Sequence, residues 1–193
     1  MKPIETGKLL NFADFRSHSD TYVETGSCYG QSIDRALGAG FPIVKSCEVY
    51  EPFYRHCKSI YKEQPKVTLF LGNSKDSLPL MLEGITEPCV IFLDAHPAGE
   101  GTGGHDDLMK KGNKSEFQQD FILTKEIDII LNHGKNHVII IDDQNGENND
   151  NKAYIKTLLK ANPSYLFYFY DEQLGDAKSF YKNKSLVCIP DGK

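Results

Sequence analysis

The sequence predicts a doubly wound α/β domain, a mostly parallel sheet with helices on both faces and an antiparallel C-terminal end. Three observations carry this. Short apolar, β-rich runs alternate with segments of helical spacing as far as residue 162, the pattern of βαβ units. Two runs, "VIFL" and "VIII", are apolar without interruption, as strands buried on both faces are. The final runs, "YLFYFY" and "SLVCIP", are joined by a polar stretch with no strong helical pattern, so they are expected to pair antiparallel.

Residues 1–20 read as an N-terminal arm or short helix. Strands are expected at 21–25, 42–49, 66–72, 88–95 and 137–143, then at 165–170 and 185–190. Between them "GQSIDRALGAG", "EPFYRHCKSIYKE", "SKDSLPLMLEG", "SEFQQDFILTKEIDIILNHG" and "NKAYIKTLLKAN" show helical spacing. Gly38, Gly40, Gly84 and Gly134 supply the stops. Residues 96–116, rich in Gly, charge and His, follow a strand end and read as a lid over an active site. One domain spanning 1–193 is expected.

The chain has 193 residues, 22 basic and 27 acidic, for a net charge of −5. An acidic surface without a basic run interleaved with aromatics argues against nucleic acid as the main partner. The five cysteines (Cys28, Cys47, Cys57, Cys89, Cys188) are odd in number and scattered, so neither a disulfide framework nor a CxxC metal pair can be drawn. Free thiols in a reducing compartment are expected, and a cytoplasmic location with them. No apolar run approaches membrane-spanning length, and no membrane partner is expected.

In an open α/β sheet, ligands bind beyond the carboxyl ends of the strands, at the switch in strand order. Here those ends read Glu24-Thr-Gly26-Ser27 with Gly30, then Glu48, then Gly72-Asn73-Ser74, then Asp94-Ala-His96, then Asp142-Asp143-Gln144-Asn145. The first is neither GxGxxG nor GxxxxGK[ST], which removes the familiar phosphate loops. What remains is an acid and a glycine turn beside one ligand, or a tight β-to-α turn alone. Glu48 ends the second strand, where a carboxylate can grip a ribose diol. Asn73 and Ser74 are adenine contacts, an N-cap, or both.

The motifs "VETGSCYGQSI", "CEVYEPFY", "LGNSKDSLPLML" and "VIFLDAH", in that order over roughly residues 20 to 145, resemble class I S-adenosylmethionine-dependent methyltransferases. The similarity is to small sugar and natural-product O-methyltransferases whose fourth strand ends in Asp-Ala-His. It implies a Rossmann-like, seven-stranded sheet with an antiparallel C-terminal strand, and S-adenosyl-L-methionine as cofactor. By that resemblance Glu24, Gly26, Ser27 and Gly30 line the methionine half, and Glu48 binds the ribose. Asn73 and Ser74 flank the adenine, and Asp94 faces the sulfonium. Gly30 stands where many members have a denser GxG turn, and Asn73 where an Asp is commoner.

A sulfonium methyl is already activated, so the protein mainly has to position it against the acceptor. An alcohol acceptor also needs a base, or a metal that lowers its pKa. His96 and His105, flanking the glycine-rich segment, are the base candidates, with Asp94 beside them. Asp94, Asp142 and Asp143 form a set of hard oxygen donors suited to Mg²⁺ or Mn²⁺, or else acids holding loop amides. The fourth strand ends "LDAH", whereas base-methylating DNA enzymes of this class resemble one another in a [DN]PP[YF] run there. The Gly, His, Asp and Lys of the lid, with Phe117 as its one aromatic, suit a hydroxyl-rich acceptor. The expected reaction is therefore O-methylation of a sugar or glycan. A metal-free transfer to another small molecule and a non-catalytic nucleotide-binding module are the alternatives.

Overall fold

A computed structural model describes residues 3–95, 119–144, 151–171 and 184–191, leaving aside the side chains of 119–121 and 151–153. The strands are β1 (Ile4–Leu9), β2 (Thr21–Thr25), β3 (Ile43–Glu48), β4 (Val67–Leu71), β5 (Val90–Leu93), β6 (Val138–Ile141), β7 (Tyr165–Asp171) and β8 (Lys184–Pro190). The α-helices are α1 (Gln31–Gly38), α2 (Glu51–Ile60), α3 (Ser74–Leu82), α4 (Gln119–Asn132) and α5 (Asn151–Ala161). A 3₁₀ helix, Phe12–His18, is capped at its start by Asn11, whose side chain accepts from the Ala13 amide.

All the strands join one sheet in the order β1-β7-β8-β6-β5-β2-β3-β4. The chain steps outward through β2, β3 and β4, then returns to place β5 on the other side of β2. The switch point therefore lies between the carboxyl ends of β2 and β5. β8 is inserted between β6 and β7 and runs against both, so the expected antiparallel C-terminal pairing is present.

Among the described residues the sheet has eight strands, not seven, and residues 4–9 form a strand rather than an arm or helix. β1 pairs parallel with β7 at the sheet edge. Its sequence, Ile-Glu-Thr-Gly-Lys-Leu, is almost entirely solvent-exposed, so no burial periodicity marks it. Thr6 Oγ1 adds a hydrogen bond to the Phe169 carbonyl at 2.8 Å.

The central strands alternate between two cores. Val23, Ile91, Leu93, Ile139 and Ile141 pack with Leu78 and Met81 of α3, Leu123 and Ile127 of α4, and Leu158 of α5. Tyr22, Val44, Phe92 and Ile140 point the other way, into Phe12 and Phe15 of the 3₁₀ helix, Ile33 of α1 and Cys57 of α2. With both faces covered, each fully buried Ile or Val of the middle strands contributes about 1.5–3 kcal/mol. This rigid double-sided core fixes the strand ends from which the site is built.

Candidate functional site at the switch point

Gly26 leaves β2 at φ +88°, and its amide and that of Ser27 both donate to the Cys47 carbonyl of β3, at 2.9 and 3.1 Å. A Cβ on Gly26 would lie 2.4 Å from the backbone oxygen of Asp94. Glycine is thus required where the exits of β2 and β5 press together. Cys28 takes φ +45°, a left-handed conformation unusual for a side-chain-bearing residue. It is pinned there because its amide donates to Glu48 Oε2 at 2.8 Å and its carbonyl accepts from the Cys57 thiol at 3.3 Å. Gly30, at φ +85°, closes the turn by donating to the Ser27 carbonyl at 2.7 Å and starts α1. The Tyr61 hydroxyl lies 2.8 Å from both the Gly30 carbonyl and Asp34 Oδ1.

The loop is therefore not an anion cradle. Its first three amides already serve Cys47 and Glu48, leaving no row of N–H groups for a phosphate.

Glu24 is fully buried and faces inward, beneath the loop. Ser46 donates to its Oε1 at 2.6 Å, Tyr22 donates to its Oε2 at 3.0 Å, and the Ser32 hydroxyl also bonds to it. Burial raises its pKa to about 7 against the lowering effect of these hydroxyls. Ser46 also meets the Ser27 hydroxyl at 2.6 Å, so Glu24 acts on the loop through a hydroxyl chain.

Glu48 sits at the same edge, largely buried, with Cys28 N on one carboxylate oxygen and Tyr50 N on the other, each at 2.8 Å. Burial raises its pKa, opposed by these backbone bonds. A carboxylate offers about four lone-pair sites, so acceptor capacity remains for a diol. Around it stand the exposed Val49 and Tyr29, the latter packed on Phe53 with ring centroids 4.7 Å apart.

Asn73 caps α3, its side chain accepting from Lys75 N at 3.1 Å, which realises the N-cap alternative. Ser74 is buried with its hydroxyl lacking a hydrogen-bond partner, and so is that of Thr25, the last residue of β2. Asp94 is half-buried, and its amide donates to the Thr25 carbonyl across the switch point at 3.1 Å. His96, His105 and Asn145 lie outside the described residues.

The expected metal set does not form among the described residues. No three His, Cys, Asp or Glu side chains there are grouped to hold an ion. Asp142 accepts from the Ser185 hydroxyl at 3.1 Å. Asp143 turns away from the strand direction at φ +52°.

Sequence reading also missed Ser46, Tyr22 and Tyr61, the hydroxyls that hold the loop from below. Ser46 was detectable in principle, two residues before Glu48 and so on the same strand face. His137 is fully buried. The five cysteines are free thiols, four buried and Cys28 half-buried, as expected. No helix among the described residues is long and apolar enough to cross a membrane.

No known family model matches the sequence, and no curated protein matches it. Solved structures do match. An O-methyltransferase from Bacillus cereus in complex with SAH is 18% identical over 93% of this chain and 79% of its own, with a TM-score of 0.53. An rRNA methylase from Streptococcus thermophilus is 12% identical over 92% and 93% of the two chains, at 0.53. Spermidine synthase from Thermotoga maritima is 13% identical at 0.58, covering 95% of this chain and 58% of its own. The chain has the Rossmann-like fold of S-adenosylmethionine-dependent methyltransferases.

Proposed function

We propose that this protein is an S-adenosylmethionine-dependent O-methyltransferase acting on a hydroxyl of a sugar or glycan. The observation that carries the reading is the convergence at the switch point. Gly26 presses against the Asp94 backbone, and Glu48 offers a carboxylate beside the same loop. The loop amides are turned inward, as suits a nucleoside and a cationic amino acid better than a pyrophosphate. A solved neighbour of this fold is an O-methyltransferase in complex with SAH.

In this reading Gly26, Ser27 and Gly30 line the methionine half, with Glu24 fixing them from beneath. Glu48 takes the ribose diol. Asn73 and Ser74 flank the adenine, and Asp94 faces the sulfonium. Transfer breaks the sulfur–methyl bond and forms an oxygen–methyl bond, while the acceptor proton passes to a base at the rim. Asp94, His96 and His105 are the candidates for that base. The partner is a small-molecule or glycan acceptor, with neither nucleic acid nor membrane.

The test supplies methyl-labelled S-adenosylmethionine with a panel of saccharides and a phenol. Label recovered in a saccharide supports the reading, and label recovered only in the phenol overturns the acceptor class. Because no acids group around an ion among the described residues, transfer should persist in EDTA. Loss on chelation, restored by Mg²⁺ or Mn²⁺, would reinstate metal assistance.

A further inference from the structure

Glu24 lies fully buried beneath the loop at the switch point, and hydroxyls rather than cations bond to it. Ser46 and Tyr22 stand 2.6 and 3.0 Å from its two oxygens, and Ser32 of α1 bonds to it as well. Ser46 Oγ is in turn 2.6 Å from Ser27 Oγ, which reaches the Cys47 carbonyl at 3.2 Å. These are five contacts (Glu24 with Tyr22, Ser32 and Ser46; Ser46 with Ser27; Ser27 with Cys47), whereas the four hydroxyls bring four protons. A proton on the Glu24 carboxyl supplies the fifth: Glu24 donates to Ser46, Ser46 to Ser27, and Ser27 to the carbonyl. With Glu24 ionised, Ser46 donates to Glu24 and Ser27 to Ser46, which leaves only the 3.2 Å contact unfilled. That carbonyl already accepts from the Gly26 and Ser27 amides, so little is lost there. The network accommodates Glu24 in either charge state.

The titratable groups that face it are Tyr22 on its own strand, Cys47 and Glu48 on β3, Cys57 of α2 and Tyr61 just beyond, with Asp94 acting on Tyr22 from the exit of β5. All are acidic groups, neutral or negative but never positive. Arg35 of α1 also acts on Tyr22, but its guanidinium donates to the Leu10 carbonyl at 3.0 Å and lies over the Phe12 ring, 4.3 Å from the centroid. No salt bridge to Glu24 forms among the described residues. An ionised Glu24 therefore has hydroxyl partners there but no paired cation, and burial raises its pKa to about 7.

We propose that Glu24 senses the charge of the bound cofactor, ionised beneath the sulfonium methyl donor and protonated beneath the product, so that the site's preference for donor over product rises with pH. The inference rests on the methyltransferase reading and names a regulation of that same site. S-adenosylmethionine and S-adenosylhomocysteine share the nucleoside, the ammonium and the carboxylate, and differ by one methyl and its positive charge. In the transfer the sulfur–methyl bond breaks with its electron pair left on sulfur, an oxygen–methyl bond forms, and the acceptor proton passes to a base at the rim. The positive charge above the loop is then gone, and Glu24 takes up a proton from solvent. Glu24 touches neither ligand; it acts across the loop. A unit charge acting over on the order of 10 Å at the effective dielectric of a protein site changes affinity roughly tenfold.

The test is calorimetric titration of the full chain with each ligand, without acceptor, between about pH 5.5 and 8. Taking the ratio of the two dissociation constants cancels every contact the ligands share. In wild type the preference for S-adenosylmethionine should rise roughly tenfold across that range. Repeated at pH 7 in buffers of different ionisation enthalpy, S-adenosylmethionine should release more protons on binding than S-adenosylhomocysteine. Glu24→Gln, whose amide can donate to Ser46 as the protonated acid does, should hold the ratio within about twofold at all pH. Ser46→Ala removes a donor to the ionised acid and should move the midpoint of the rise upward by about half a pH unit or more. Should Glu24→Gln fail to fold, Ser46→Ala and the wild-type proton release still decide. A ratio independent of pH in wild type, equal proton release with both ligands, or a rise that survives in Glu24→Gln would overturn the proposal. If both ligands bind with a flat ratio, this inference alone fails; if neither binds at any pH, the methyltransferase reading fails.

Discussion

Gly26 and Gly40 form a matched pair for testing the switch point. Both adopt nearly the same left-handed backbone, φ +88° and +87°. A Cβ on Gly40 meets nothing within 4 Å, whereas one on Gly26 meets the Asp94 carbonyl oxygen at 2.4 Å and its carbon at 2.9 Å. Alanine at either position costs about 1–2 kcal/mol for the conformation alone. At Gly26 the clash is with backbone just past the end of the interior strand β5, which no rotamer change relieves. Relaxing it costs about 1–3 kcal/mol more, as overpacking does. Gly40→Ala should therefore lose about 1 kcal/mol in urea unfolding, and Gly26→Ala about 2–4 kcal/mol. Calorimetry with S-adenosylhomocysteine should find binding retained in Gly40→Ala and weakened at least tenfold in Gly26→Ala. Equal destabilisation by the two changes, or unaltered binding in Gly26→Ala, would refute a site organised by that contact.

Two buried groups set opposite pH dependences. Glu24, raised from 4.5 to about 7 by burial, contributes stability that is complete below pH 4.5 and is lost as pH rises through 7, up to about 3 kcal/mol. Glu24→Gln should therefore gain on wild type across that window in urea titrations, and a pH-independent difference would contradict the burial. His137, lowered from 6.5 to about 4 by burial, with His133 and Lys135 adding to it, contributes stability complete above pH 6.5 and lost as pH falls through 4. Cys89 N donates to its Nδ1 at 2.9 Å, so its proton sits on Nε2, facing His133 Nδ1 at 2.9 Å, and His133 Nε2 then donates to the Ile85 carbonyl. Nitrogen NMR should find His137 neutral with that tautomer down to about pH 5, whereas titration near the reference 6.5 would break the chain. Tyr61→Phe removes the hydroxyl shared by Gly30 and Asp34 and should cost about 1 kcal/mol, with weaker cofactor binding. An unchanged unfolding midpoint would show that this hydroxyl does not hold the loop.

Seven of the strands were legible as apolar, β-rich runs, buried on both faces in "VIFL" and "VIII" and on alternate sides in β7, and only partly buried in β4. β1 was not, since an edge strand held by backbone bonds and exposed along its length leaves no hydrophobic signature. The site's glycines and acids were visible as residues at strand ends, but their directions were not. Glu24 and Glu48 are both strand-end acids, yet one is closed off by Tyr22, Ser46 and Ser32 while the other reaches the loop edge. That difference depends on which neighbouring strand supplies hydroxyls, information held in strand register. The Asp142-Asp143 pair follows the last residue of β6, and its expected grouping with Asp94 does not form among the described residues. The burial of His137 was not legible because its satisfaction depends on His133 and Cys89, residues 4 and 48 positions away.

The most direct test of the central claim is calorimetric titration of S-adenosylhomocysteine into wild type and Glu48→Gln. Gln keeps the shape and an acceptor for Cys28 N, sets its amide nitrogen against Tyr50 N, and loses the charge that strengthens hydrogen bonds to a ribose diol, worth about 1.5–3 kcal/mol. The account predicts saturable one-to-one binding in wild type, weakened roughly 10- to 100-fold in a folded Glu48→Gln variant. No binding to wild type, or the same affinity in both proteins, would contradict a nucleoside site at the ends of β2 and β3.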